Sequence, residues 1–216
     1  MNHAIIVGAT GLVGHSLTHL CVENPFFTKV TVISRSPIQI QDPKLENITM
    51  SDFSELNENS FDFSNDVIYG FCCLGTTIKK AGSKTAFESV DLNYVINFAS
   101  MCKATNCKHL SIVSSLGASK NSLSFYLRVK GRMEQGIKAL DFTSASIVRP
   151  SLLLGERKET RPGEDFMKKL APLFIGRWKA IEGFSVAKAM MTIAQKAEPG
   201  LSFFNSQDLQ VIADGT

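Results

Sequence analysis

The apolar run Ala4–Val7 ends at once in Gly8, and Gly11 and Gly14 follow at three-residue spacing. This predicts a buried first strand over His3–Val7, a tight turn, and a helix over Leu12–Glu23 that buries Leu12, Leu17, Leu20 and Cys21. The physical logic of the pattern is phosphate binding. A helix N-terminus presents unpaired N–H groups and the positive end of a dipole, and glycines let a pyrophosphate approach the backbone. Gly8, Thr10, Gly11, Leu12, Val13 and Gly14 are the candidate contacts. The bland alternative is a glycine-rich turn with no ligand. A P-loop is excluded, because it needs Lys-Ser/Thr straight after its last glycine and His15 follows Gly14 here.

The rest of the chain fits a dinucleotide fold. Apolar strand-like runs alternate with amphipathic stretches, the pattern of a doubly wound α/β parallel sheet with helices on both faces. At 216 residues, 44% hydrophobic and 20% charged, the chain suits one soluble domain with a small appendage. A net charge of +3 gives no argument for nucleic acid or an anionic membrane. No apolar run reaches the length of a membrane helix, and the N-terminus carries no signal-peptide pattern. The five cysteines, an odd number without framework spacing, point to free thiols and a cytoplasmic setting. They also lack the spacing of a metal site.

Strand two, Lys29–Ile33, ends at Ser34-Arg35-Ser36-Pro37. An acidic residue here would take the ribose hydroxyls of NAD, whereas arginine accommodates a 2′-phosphate. No Asp or Glu lies between Thr31 and Gln41. Ser34 and Arg35 therefore point to NADP(H), against the plainer reading of a solvated loop arginine. After a third strand, Asn47–Met50, Asp52 is either an acceptor for an adenine amino group or a helix N-cap. Strand four is read as Val67–Leu74. Its exit loop, Leu74-Gly75-Thr76-Thr77, leaves the carboxyl end of a central strand, where open α/β sheets bind ligands. Gly75 allows close approach, and the threonine hydroxyls are placed to reach ribose or phosphate. Lys79 and Lys80 are a solvated pair or face an anion. A helix over Thr85–Thr105 carries Phe87, Val90, Tyr94, Val95, Phe98, Met101 and Cys102 at core spacing.

Strand five, His109–Val113, ends in Ser114-Ser115, and the next helix, Leu123–Leu140, opens with Tyr126-Leu-Arg-Val-Lys130. Tyrosine and lysine at i and i+4 share one helix face. A lysine cation beside a phenol favours the phenolate, which suits proton exchange with a carbonyl oxygen as hydride reaches its carbon. Ser115, just beyond the strand, is placed to orient that oxygen, with Ser114 as the alternative. The Tyr-x-x-x-Lys spacing is weak alone. The order of features is what carries weight: glycine turn, basic end of strand two, Gly-Thr-Thr, Ser-Ser, then Tyr-x-x-x-Lys.

On these motifs the first 155 residues resemble atypical short-chain dehydrogenase/reductases, in particular the Tat-interacting-protein-like oxidoreductases. The likeness rests on Gly8–Gly14, Cys73–Thr77, Lys80–Ser83, Val90-Asp91, Val113–Ala118, Phe125–Gly131 and Arg149–Gly155. It implies a Rossmann-type fold, NADPH binding, and a Ser115/Tyr126/Lys130 catalytic set. It further implies that Arg149, Pro150, Ser151 and Leu152 lie near the nicotinamide. Val90-Asp91 stands where many extended relatives have Asn, so the supporting proton relay differs. Relatives often pair as homodimers through the helices built here around Phe98 and Arg132.

Strand six is Ser144–Val148. The irregular stretch 149–184 is where such folds place their substrate cover. It holds a short helix to Leu170, with Arg157 or Arg161 as candidate contacts to an acidic substrate and Phe166, Met167, Phe174 and Trp178 as pocket or packing residues. A helix over Val186–Ala197, a strand over Leu201–Asn205 and a final helical turn capped by Ser206 complete the chain. The expected activity is hydride transfer with a small carbonyl or alcohol substrate. A catalytically silent NADPH sensor acting through protein partners is the rival. A semialdehyde dehydrogenase with a cysteine nucleophile fares worse, because no cysteine sits beside an activating base at a helix start.

Overall fold

The computed structural model describes residues 1–57, 66–155 and 180–215. Arg157, Arg161, Phe166, Met167, Phe174, Trp178 and the expected short helix to Leu170 lie outside the described residues.

Seven parallel strands form one sheet in the order β3-β2-β1-β4-β5-β6-β9. They are β1 (Asn2–Val7), β2 (Lys29–Ser34), β3 (Leu45–Thr49), β4 (Val67–Cys72), β5 (His109–Val113), β6 (Ser144–Arg149) and β9 (Gly200–Asn205). Two two-residue strands, β7 (Leu153–Leu154) and β8 (Ile181–Glu182), pair with each other in parallel. Strands β1 and β4 read as near-continuous apolar runs because both faces of the sheet are covered, whereas β5 and β6 bury polar side chains in their first halves. One face packs α1 (Leu12–Glu23) and α6 (Gly183–Lys196) over Ile6, Val32, Phe71 and Val148. The other packs α4 (Tyr94–Ala104) and α5 (Phe125–Ala139) over Ile5, Cys72, Ile112 and Ile147. The last helix, α7 (Ser206–Asp214), packs on α6. The strand order reverses between β1 and β4, so the crevice outside their carboxyl ends is the ligand position in this class of sheet.

Several boundaries depart from expectation for local reasons. β4 stops at Cys72, which leaves Cys73 and Leu74 in the exit loop. A short helix absent from the expectation, α2 (Ile78–Ala81), follows, with Thr77 as its N-cap and Gly82 in left-handed geometry at its end. The helix expected over 85–105 is broken. Lys84–Glu88 (α3) passes into a π-turn at Ser89–Asn93 before α4 begins. The core periodicity survives that extra residue per turn, which is why the break left no mark in the hydrophobic pattern. Asn205, not Ser206, caps α7, in a reciprocal capping box with Asp208. Phe98 is fully buried in this chain's own core, as its core spacing predicts, and Arg132 is ion-paired to Glu88 at 2.8 Å. In α1, Leu17 and Cys21 are buried as expected, whereas Leu12 and Leu20 are half-buried.

Candidate functional site

The glycine turn is shaped for an anion. Gly8 has φ +82°, and a Cβ there would stand 2.5 Å from the carbonyl carbon of Cys73. A Cβ on Gly14 would lie 2.2 Å from the Gly8 oxygen. Larger residues at either place force β1, the β4 exit and α1 apart. Gly11, the N-cap of α1, supplies no side-chain cap, and the first turn holds no acid. Its N–H groups thus have no anionic partner among the described residues. Leu12 fills a different role from the core position expected of it. It lies between Gly155 and Gly183, whose added Cβ atoms would come within 2.8 and 2.5 Å of it. Gly155 and Gly183, each next to a strand of the β7–β8 pair, therefore both sit against the start of α1. No sequence signal marked that ladder. Thr10 is exposed, and Val13 is buried in the first turn of α1.

At the end of β2, Ser34 is buried. Its Oγ donates to the Ser36 carbonyl at 2.7 Å and accepts from Asn47 Nδ2 at 2.9 Å, so it shapes the turn. Arg35 beyond it is exposed. Asp52 caps the 3-10 turn Phe53–Glu55, accepting from the Ser54 N–H at 2.8 Å. Those hydrogen bonds hold its carboxyl below the usual range. Burial first, then the nearby Asp52 carboxylate, raises the Tyr94 phenol, while Arg35 acts in the opposite direction. Arg35, Asp52 and Tyr94 thus share one corner beyond the ends of β2 and β3. Tyr94 was legible only as a core residue, since it keeps helical spacing and packs on Phe53 at 5.8 Å.

Leu74, Gly75, Thr76 and Thr77 line the β4 exit. The Thr77 hydroxyl caps α2, accepting from the Lys80 N–H at 3.1 Å, rather than pointing free into the crevice. The Thr76 N–H donates to Asp91 Oδ2 at 2.8 Å. Asp91, on the π-turn, is fully buried, and its Oδ1 stands 2.9 Å from Lys130 Nζ. Lys130 is only 3% exposed and also donates to the Val113 carbonyl at 3.4 Å. Burial opposes the lysine charge, but Asp91 and then Tyr126 outweigh it and hold the ammonium above its ordinary range.

The two serines after β5 differ. Ser114 is buried and its Oγ donates to Glu134 Oε1 at 2.6 Å. Ser115 is half-buried, and its Oγ makes only a 3.4 Å contact with the Leu116 carbonyl. Ser115 therefore keeps the freer hydroxyl of the two. Tyr126 is half-buried on the first turn of α5, its ring 5.9 Å from Phe87. Gly131 lets α5 press on the loop after Ser115; a Cβ there would sit 2.2 Å from the Ser119 carbonyl carbon.

Arg149 ends β6 in an ion pair with α5. Its guanidinium grips Glu134 through Nε at 2.9 Å and Nη2 at 2.6 Å, and stacks 4.3 Å above the Phe203 ring. A buried carboxylate demands a cation, and the planar fork supplies two hydrogen bonds at once. The carbonyl of Pro150 accepts from the Leu116 N–H at 3.0 Å, joining the β6 exit to the Ser115 turn. Ser151 is tied to Ser206 at 2.9 Å, and the Leu152 carbonyl accepts from Ile181 at 2.9 Å. Thiol chemistry has little support at this edge. Burial pushes the Cys72 thiol up to about 12 and raises Cys21, Cys73 and Cys102 as well.

A family model described as NAD(P)H-binding matches residues 8–196. The chain belongs to that NAD(P)H-binding family. The rat protein HTATIP2 is 37% identical over 191 residues, covering 86% of this chain and 78% of its own length. The mitochondrial protein FMP52 of Candida glabrata is 33% identical over 229 residues, covering 98% and 95%. The family expected from the motifs is thus the one found. Among solved structures, the Bordetella bronchiseptica enzyme WbmH in complex with NAD+ superposes with a TM-score of 0.73 at 15% identity, covering 99% of this chain and 80% of that one. UDP-glucose 4-epimerase of Thermotoga maritima gives 0.72 at 12%, covering 99% and 82%. These likenesses show the Rossmann-type α/β fold. No helix among the described residues is long and apolar enough to cross a membrane.

Proposed function

We propose that this protein is an NADP(H)-dependent oxidoreductase that moves hydride between nicotinamide and a carbonyl/alcohol substrate. The observation that carries the reading is the convergence at one sheet edge of an uncapped glycine turn, a free serine hydroxyl and a Tyr126/Lys130 pair. The glycine turn and α1 hold the pyrophosphate, and Leu74–Thr77 and Ser114 bound the nicotinamide side. Pro150, Ser151 and Leu152 border it from β6. Arg35 takes the 2′-phosphate, with Tyr94 and Asp52 beside the adenosine. When bound, the nicotinamide supplies or accepts the hydride. Tyr126 exchanges a proton with the substrate oxygen, Ser115 donates a hydrogen bond that orients it, and Lys130 favours the phenolate electrostatically and holds the ribose. Segment 149–184 selects a small-molecule substrate, and the chain works alone or as a homodimer.

A panel of aldehydes, ketones and quinones, followed by loss of NADPH absorbance, tests the reading. Turnover that falls in Ser115→Ala and Tyr126→Phe supports it. Activity unchanged in Tyr126→Phe overturns the mechanism. A silent panel with tight NADPH binding supports the sensing alternative instead. We assign the cytoplasm, in keeping with free thiols. Fractionation into mitochondria, where the FMP52 relatives are named, would overturn that assignment.

A further inference from the structure

Asp91 is the one buried carboxylate that touches both the cofactor-side loop and the lysine beside Tyr126 among the described residues. Oδ2 takes the Thr76 N–H at 2.8 Å and Oδ1 faces Lys130 Nζ at 2.9 Å. The π-turn explains how it gets there. Its extra residue per turn rotates Asp91 inward while Phe87 before it and Val95 after it stay in the core. An asparagine in this place could bond to the same N–H but would carry no charge. Here the lysine has a full counter-ion in direct contact, at a depth where water does not screen the pair.

We infer that Asp91 is a positioning residue for the proposed reaction: its carboxylate locks Lys130 to the Gly75–Thr77 loop and serves as the counter-charge that keeps protons on the Tyr126/Lys130 pair. The inference rests on the oxidoreductase reading. The groups facing the pair are few. Tyr126 comes from the same helix, Cys72 from β4 and Asp91 from the π-turn, while β5 contributes only the Val113 carbonyl. Cys72 stays a neutral thiol because burial lifts it to about 12. Asp91 is therefore the only fixed anion among them.

The sign follows from charge alone. Asp91→Asn removes a negative charge from beside Lys130, which is itself coupled to Tyr126, and each of those two groups releases a proton. The first proton then leaves the pair at lower pH, whichever group carries it. Carbonyl reduction needs the Tyr126 proton, so its alkaline limb moves down.

The test compares the full chain with Asp91→Asn, and with Asp91→Ser should the amide fold poorly. Thermal melts and NADPH titration establish that each variant folds and binds. Two readouts follow. In NADPH-dependent reduction, the alkaline limb of kcat is expected to fall by about one pH unit, a tenfold loss at a fixed pH on that limb. In carbon-13 NMR, the Lys130 Cε resonance, assigned with Lys130→Arg, is expected to titrate at lower pH in the variant, with or without turnover. A Lys130 titration identical in wild type and variant overturns the inference, as does an unmoved pH profile. A shifted Lys130 titration in a protein that turns over nothing leaves the charge pair standing and overturns the oxidoreductase reading instead.

Discussion

Both ends of the sheet bury polar side chains, but only one end closes its networks. At the amino end, His109 bonds Ser144 at 2.7 Å and Ser146 at 2.9 Å, and Ser146 reaches Ser111 at 2.9 Å. His3 bonds Thr31 at 2.8 Å and pairs with Asp66 at 3.0 Å. Each ring nitrogen there has a partner, so these groups rigidify the strands and offer nothing to a ligand. At the carboxyl end, α1 starts without a side-chain cap, Ser115 has one long contact, and Tyr126 stands half-exposed. Unsatisfied capacity on accessible groups at the crevice, beside buried ring nitrogens that are all partnered at the opposite end, is what separates a binding edge from a structural one.

The largest expected break in that comparison is Tyr126→Phe. Turnover should fall by about 10²–10⁴ while NADPH affinity stays within a few-fold, measured by steady-state kinetics and titration. A similar loss from His109→Asn at neutral pH would erase the distinction between the two ends.

His109 has its own signature. Burial lowers its pKa to about 4, against an ordinary 6.5. The unfolded chain therefore binds the extra proton between those values and the folded chain does not. Stability from the neutral ring is full above about 6.5 and is lost as pH falls toward 4, by about 3 kcal/mol in all. Urea unfolding across that window should show the slope in the wild type. In His109→Asn it should flatten, with lower stability at pH 7.

Next comes Glu134→Gln, which removes the negative charge facing Arg149 and one of the two acceptor oxygens that Arg149 and Ser114 share. About 2 kcal/mol of stability should go, less than for a fully buried pair because Arg149 remains 32% exposed. Denaturation midpoints check this, and a change under about 0.5 kcal/mol would show the pair to be incidental.

The smallest expected effect is at Arg35. Arg35→Glu should reverse preference from NADPH to NADH, by about tenfold in the ratio of affinities. Equal affinity of the wild type for both would remove the argument for a bound 2′-phosphate.

The sheet, its order of features and the placement of Ser115, Tyr126 and Lys130 were legible because strand runs and glycine spacing are local signals. The Arg149–Glu134 pair left no mark in the sequence, because its members lie 15 positions apart on a strand and a helix. Asp91 stood in the motif, yet its contact with Lys130 depends on a π-turn that hydrophobic periodicity does not reveal. Tyr94 was hidden by serving core and crevice at once. The β7–β8 ladder is two residues on each side, too short to leave a pattern, although it brings Gly155 and Gly183 onto Leu12.

A crystal structure with NADPH bound tests the central claim most directly. The account predicts the pyrophosphate on the Gly8–Gly14 turn, and the nicotinamide beside a carbonyl-sized space bounded by Tyr126 and Ser115, about 3–3.5 Å from where a substrate carbon would sit. A dinucleotide bound elsewhere, or a nicotinamide side packed solid with protein atoms, would contradict it.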